Sequence, residues 1–318
     1  MIKYIVQRLI ISIPMLLGIS IVTFVFINLA PGDPVSAMVN PETQAGAADM
    51  EHLREVMGLN KPIPVRYAIW LGQLVQGNFG YSYADGSPVL QKILDRFPAT
   101  LELMGLSLVI STLLGTLLGV LAALWQYSLW DYLLSLLALV GISIPGFFIG
   151  LLGLYVFAGQ LHLLPAFGMS NPATPPSLVD NLTHAILPAT ALSLEALAGL
   201  SRYARSAMLE VLHADFITTA RAKGLNEFVV MSVHAFRNAL LPLITVATLR
   251  LPGIFGGAII IETVFQWPGM GLLSIEAIND RDYPVLMGLT FVTAALILFS
   301  NLLADVLYAY ADPRVRYA

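Results

Sequence analysis

The residues that could do chemistry in this chain are few, and their spacing excludes most reactions. There are five histidines and no cysteine. His52, His162, His184, His213 and His234 never stand four residues apart, so no helix can present a paired-histidine zinc site with an intervening glutamate. His162 and His184 fit the edges of apolar runs, where a membrane surface would place them. A phosphate-binding loop needs Lys followed by Ser or Thr. Here Lys3, Lys61, Lys92 and Lys223 are followed by Tyr, Pro, Ile and Gly, so the chain has no such loop. No G-x-S-x-G elbow is present to present a nucleophilic serine. Hydrolytic chemistry, including proteolysis within a membrane, therefore has no residues to carry it, and neither a metal nor another cofactor is expected in this chain.

A polar, helix-prone stretch, "DFITTARAKGLNEFVVMSVHAFRNALLPLI", runs from Asp215 to Ile244 between two apolar segments. Asp215 fits a helix start, and Gly224 fits the left-handed residue that stops a helix. Asn226 fits the cap of a second helix reaching about Asn238, and Pro242 the first turn of a third. The stretch thus reads as a helix–turn–helix, basic at Arg221 and Lys223 and apolar at Phe216, Ile217 and Leu225. Two readings fit this pattern. It is either a short helix that lies in a groove on a partner, or a membrane-surface helix whose cations snorkel.

The elements that must position this hairpin are long apolar runs. The chain has 318 residues, 57% hydrophobic and 11% charged, against about 25% charged in soluble domains. That composition places it among polytopic membrane proteins. Its net charge of −4 gives no reason to expect a nucleic-acid partner. The first run, Leu9 to Ala30, is too long for a secretory h-region and long enough to span a bilayer. Five further runs are long enough: Ala99–Leu124, Tyr132–Gly159, Thr183–Leu200, Leu240–Ile261 and Pro284–Tyr308. Six all-α spans put both termini on one side.

Basic residues choose that side. Nine of the 16 Lys and Arg, among them Lys3, Arg8, Arg202, Arg205, Arg221, Lys223 and Arg237, fall in the termini and short loops of one face. The bias makes that face cytoplasmic. The short loop Trp125–Asp131 on the same face has no basic residue. Pro145 with Gly146, and Pro252 with Gly253, fit either kinks or breaks within spans.

The segment 31–98 is patterned rather than a linker, and reads as a small helical subdomain outside the bilayer. "DMEHLREVMG" carries an apolar stripe with Asp49 as cap and Gly58 as stop. "SPVLQKILDRF" repeats the device with Ser87 as cap and Pro88 at the first helical position. "GNFGYS", Gly77–Ser82, reads as a turn between them.

Two charges stand inside the spans. Glu195 in "ALSLEALAG" and Arg250 in "ATLRLPG" fall at similar depth on consecutive runs. An isolated charge there costs at least ~2.5–3.5 kcal/mol. They are expected to pair with each other, to line an aqueous path, or to meet another subunit. Trp267 and Phe265 in "ETVFQWPGMG" fit interfacial anchors or packing against a partner protein. Glu262 beside them fits a carboxylate satisfied by backbone or a neighbouring arginine.

The hairpin resembles the cytoplasmic loop of binding-protein-dependent ABC transporter permeases, and more narrowly of their dipeptide/oligopeptide/nickel branch. The family pattern is Glu-Ala-Ala, three residues, Gly, then a later Leu-Pro. Thr218, Thr219 and Ala220 stand where that triplet would be, Gly224 matches, and Leu241-Pro242 comes later, as in the peptide branch. The missing Glu removes a Glu-specific contact. "APGDP", "GNFGYS", "SIPGFFIG", "ILPA", "ETVFQWPGMG", "RDYPV" and "DPRVRY" extend the resemblance along nearly the whole chain.

The resemblance implies an all-helical type I importer permease of six spans with a core domain over 99–318. Two permeases, the second a different chain, would enclose a translocation path. Two ATPase subunits holding ATP and Mg would dock below, and an extracytoplasmic binding protein would deliver a peptide or other small solute. The protein would lie in a bacterial or archaeal plasma membrane. The loop 215–238 would couple the ATPases to the path, with Ala220, Arg221, Lys223 and Gly224 at the contact. Gly224 also fits a role as a turn residue alone. The competing reading is a secondary transporter, or a permease-like subunit without ATP coupling.

Overall fold

Lipid leaves the backbone no water to bond with, so a chain of this composition must satisfy its amides within helices. The computed structural model describes residues 2–29, 35, 47–175, 177–249 and 251–311. Among them the only strand-like pairing is one antiparallel bridge, Tyr81 with Pro88. The helices are α1 (Ile2–Leu29), α2 (Ala47–Val56), α3 (Ile63–Val75), α4 (Val89–Leu124), α5 (Leu129–Ser143), α6 (Gly146–Gly153), α7 (Leu178–Leu212) and α8 (Asp215–Ala222). After them come α9 (Glu227–Val229), α10 (Arg237–Leu249), α11 (Leu251–Phe265), α12 (Met270–Asn279) and α13 (Tyr283–Ala311). Wider π-helical turns, Leu154–Gln160 and Val230–Phe236, extend α6 and join α9 to α10.

Four helices are long and apolar enough to cross a membrane, and two broken pairs bring the number of spans to as many as six. The third apolar run is one of these pairs. α5 and the helix from Gly146 to Gln160 meet at 102°, so Pro145 and Gly146 mark a break rather than a mild kink. Pro252 instead falls in the first turn of α11, where a missing N–H costs nothing.

The chain forms two compact units. The first comprises the described residues of 101–267 and 300–311. α7 is its axis, and glycines bring its neighbours close. A Cβ at Gly119 of α4 would lie 2.3 Å from the Ser201 carbonyl of α7, and one at Gly115 would lie 2.9 Å from that of Leu197. Gly141 of α5 faces Ala198, and Gly146 and Gly150 of α6 face Ala191. In lipid, where apolar surface gains little by leaving the solvent, such close backbone approach is what holds helices together. Phe265 and Trp267 are buried in the chain itself, as is Glu262. Neither aromatic is thus an interfacial anchor or an exposed docking residue.

The second unit comprises residues 2–100 and 268–299, and so is larger than the 31–98 segment. α4 runs unbroken through Pro98, which therefore does not separate a subdomain helix from a span. Val89 and Ile93 on its first turns are buried with Met270, Leu273, Ala277, Val285 and Leu289. Thr100 accepts a hydrogen bond from the Met270 amide at 2.8 Å. These contacts outweigh the single amide bond that Pro98 removes.

Ser87 does not cap α4. Its hydroxyl donates to Asp85 at 2.6 Å, and Asp85 also meets Lys92 at 2.8 Å. Those bonds hold the Asp85 carboxyl well below the usual range. Asp282 is a buried hub of this unit: it accepts from the Ser82 hydroxyl and from the Tyr83 amide at 3.1 Å. "GNFGYS", "PGMG" and "RDYPV" thus meet in one place.

Candidate coupling hairpin

The hairpin grows from the end of α7, where Ala214 turns extended and α8 begins at Asp215. Ala214 is therefore the capping position, and Asp215 is the first helical residue. Its carboxylate still suits the positive end of the helix. α8 is amphipathic in a simple way. Ile217 and Ala220, three residues apart, are buried together with Met208 of α7 and with Val230, Ala235 and Ala239. Thr219 returns its hydroxyl to the Asp215 carbonyl at 3.0 Å.

The helix stops at Gly224, whose φ is +77°. The Gly224 amide donates to the Arg221 carbonyl at 2.9 Å and the Leu225 amide to the Ala220 carbonyl at 3.4 Å. This is the backbone closure that a left-handed residue permits at a helix end. Asn226 then caps the next turn by accepting from the Phe228 amide at 2.8 Å.

Beyond Asn226 the backbone is helical without interruption to Leu249, and Pro242 lies inside α10 rather than opening a new helix. The π-helical turns explain how the buried face survives. Val230 and Ala235 are five residues apart, a spacing that an α-helix would turn to different faces. The wider turn returns them to one face, and Ala239 and Leu243 continue it at intervals of four.

The four residues expected at a partner contact divide. Ala220 is buried in the chain's own packing. Arg221, Lys223 and Gly224 are exposed. Arg221 reaches across the turn to Glu227, with nitrogens at 2.7 and 3.3 Å from its two oxygens. The pair holds the Glu227 carboxyl below its ordinary range through the hydrogen bonds from Arg221, and pushes Arg221 up. Being exposed, the pair contributes little to stability. It orients two side chains around Gly224. Lys223 has no ion-pair partner among the described residues. Phe228 is the most exposed aromatic of the hairpin at 77%, and Phe216 and Leu225 are exposed as well. Ile217, grouped with these from its sequence position, is buried instead.

The sequence shows Glu227 only as one of the hairpin's charges, with no assigned role, and does not mark out Phe228. The signal for the first was present, since an acid six residues after Arg221 across a Gly turn comes back beside it. A second unforeseen feature lies at the base of the same unit. Arg205 of α7 clasps Asp131 of α5 with two bonds of 2.7 and 2.8 Å. Asp131 also accepts from the Tyr127 amide at 3.0 Å, and its side chain is 4% exposed. Ser128 caps α5 by accepting from the Asp131 amide. The clasp fastens α5 to the last turns of the helix that leads into the hairpin.

Glu195 lies on an exposed face of α7. Arg250, its expected counterpart, lies outside the described residues.

Helices of bilayer length, glycine-mediated packing and an exposed polar hairpin mark an integral membrane protein. Residues 115–317 match the family described as "Binding-protein-dependent transport system inner membrane component". Residues 1–104 match the N-terminal region of such membrane components. The chain belongs to this family. A chain of Brucella suis biovar 1 (strain 1330), provisionally named a peptide permease, is 46% identical over 317 residues, covering 99% of both chains. The oligopeptide transport system permease protein AppB of Bacillus subtilis (strain 168) is 43% identical over 318 residues, covering all of both. The fold resembles that in an inward-facing structure of the MetNI methionine ABC transporter. The TM-score is 0.57 at 15% identity, covering 70% of this chain and 97% of that one. The protein is thus the membrane-spanning permease component of an ATP-driven importer that works with ATPase and substrate-binding partners.

Proposed function

We propose that this permease imports a peptide or a similar small solute. The peptide and oligopeptide names of relatives that match it end to end support this reading. It shares the path with a second permease subunit, a different chain. ATP and Mg are held by the partner ATPases, and this chain carries no cofactor of its own. Both termini and the hairpin face the cytoplasm, a topology supported by the bias of Lys and Arg in the short loops.

The hairpin 215–238 is the docking and coupling element. One observation carries this reading. An exposed surface made by Phe228, Lys223 and the Arg221–Glu227 pair stands on a buried cluster that includes the end of α7. Force applied to the surface is passed through Ile217 and Ala220 to a spanning helix, rather than lost in a mobile loop.

The test is uptake of labelled peptides by the reconstituted transporter, with and without ATP and binding protein. Phe228→Asp should lower uptake and loosen ATPase docking while the permease still inserts. A cysteine at Phe228 should cross-link to an ATPase subunit. Normal uptake by Phe228→Asp together with no cross-link would show that the ATPases dock elsewhere. Cysteines at Arg54 and Arg221, placed in this Cys-free chain, should label from opposite sides. Labelling of both from outside would overturn the topology.

A further inference from the structure

We infer that α3 is a membrane-embedded helix whose exposed face takes the acyl chains of one leaflet, although it lies in the segment expected outside the bilayer. The observations all fall within the second compact unit.

The first is depth. α3 packs on α1 through Tyr67 and Trp70, one turn apart. The Phe24 ring of α1 meets Tyr67 edge-on at 5.4 Å and Trp70 at 6.3 Å. Trp70 also meets Phe291 of α13 edge-on at 6.3 Å. The Tyr67 hydroxyl lies 2.8 Å from the Ser20 hydroxyl. Ser20 donates to the Leu17 carbonyl, so Tyr67 is the donor to Ser20.

These partners are not at the ends of their spans. At ~1.5 Å per residue, Phe24 lies ~7.5 Å and Ser20 ~13.5 Å before Leu29, the last residue of α1, and Phe291 lies ~12 Å after Tyr283, the first of α13. The apolar spans have 25 residues in α1 and 24 in α13. They overshoot a hydrocarbon core of ~30 Å by only ~3–4 Å at each end. Two independent spans therefore place the α3 contacts ~4–10 Å beneath the hydrocarbon boundary. A tyrosine hydroxyl at that depth needs a protein partner, because no water is there to bond it, and Ser20 supplies one.

The second observation is polarity. The exposed residues of α3 before Gln73 are Pro64, Val65, Ala68, Ile69 and Gly72, none with a polar side chain, while its one charged residue, Arg66, is half-buried. A helix standing in water shows the opposite face, as α2 does with exposed Glu51, His52 and Glu55. The polar residues of the α3 segment lie towards its ends: Asn60 and Lys61 precede it, Arg66 stands half-buried on its first turn, Gln73 is on its last turn, and Gln76 and Asn78 follow. This suits a chain that dips into a leaflet and returns. In the proposed topology it is the outer leaflet.

The test uses the assembled transporter with its partner subunits, reconstituted in phosphatidylcholine vesicles. Val65→Cys, Ala68→Cys and Ile69→Cys are labelled singly with a small fluorophore, with His52→Cys as the water-facing reference. Background from the unsubstituted complex is subtracted. Lipids brominated near the headgroup should quench the three α3 labels more than lipids brominated at the chain ends, while aqueous iodide should quench only the label at position 52. Iodide quenching of the α3 labels would overturn the inference by placing that face in water. Protection from both quenchers would also overturn it, by showing that another subunit covers α3. Neither result depends on which solute is carried.

Discussion

Replacing Gly224 perturbs the turn at one point and nothing around it. Its φ of +77° is a conformation that residues with a Cβ adopt at a cost, yet a Cβ built there meets no atom within 4 Å. The cost is therefore backbone energy alone. It is about 1–2 kcal/mol for an ordinary L-residue, and up to about 3 kcal/mol when the side chain is β-branched. What opposes loss of the turn is slight: two backbone bonds, of 2.9 and 3.4 Å, and the exposed Arg221–Glu227 pair. The underlying cluster of Ile217, Ala220 and Val230 does not include Gly224 and stays packed. Gly224→Val should thus leave the permease folded while lowering the population of the native turn by roughly 30- to 150-fold, from ~2–3 kcal/mol at 1.4 kcal/mol per tenfold. Asn enters the left-handed region more readily than other residues with a Cβ, so coupling should fall in the order Gly, Asn, Ala, Val. The assay is solute imported per ATP hydrolysed in proteoliposomes with saturating binding protein. A Val variant as tightly coupled as the parent, or an Ala variant better coupled than Asn, would refute the argument that this backbone conformation transmits the ATPase movement.

Three further outcomes follow from the packing. Arg205→Ala should cost more than removing both partners of its pair, because it strands the enclosed Asp131 carboxylate. Breaking such a pair costs about 3–5 kcal/mol, so the heat-inactivation midpoint of Arg205→Ala should lie below that of Asp131→Asn with Arg205→Ala. Gly119→Leu should prevent assembly, since its Cβ would lie 2.3 Å from a backbone carbonyl, whereas Gly105→Leu, with no atom within 4 Å, should assemble normally. Yield of the purified complex reads both. Glu195 and Arg250 are proposed as an intramembrane pair or as residues of the path. Pairing predicts greater loss of uptake in Arg250→Ala than in the double variant with Glu195→Ala, and strictly additive losses would argue against it.

Five of the six expected spans were legible because lipid demands continuous apolar helix, and such runs are visible without knowing what they pack against; the second broken pair joins Ala258–Phe265 to Met270–Asn279 instead of following the expected run Leu240–Ile261, which includes a residue outside the described ones. The turn at Gly224 was legible for a similar reason, since glycine before a capping Asn is a local instruction. What was not legible depends on partners far along the chain. Pro98 reads as a boundary, but Val89 and Ile93 are held by α12 and α13, and the helix passes through. The seam from Val230 to Leu243 has no constant period, and only the π-helical turn reconciles its spacing of five with the spacings of four that follow. Asp131 and Arg205 are 74 residues apart, and each alone reads as an ordinary loop or surface charge.

The site itself shows the same division. Ala220 sits in the best-matched part of the hairpin but is buried, so its motif position reflects packing. Arg221 is exposed but already engaged by Glu227. A sequence motif preserves the whole device and does not separate the residues that touch a partner from those that hold the touching ones in place. Burial separates them here. In the proposed coupling role, Phe228 and Lys223 present the surface, Arg221, Gly224 and Glu227 fix its shape, and Ile217 and Ala220 join it to the end of α7.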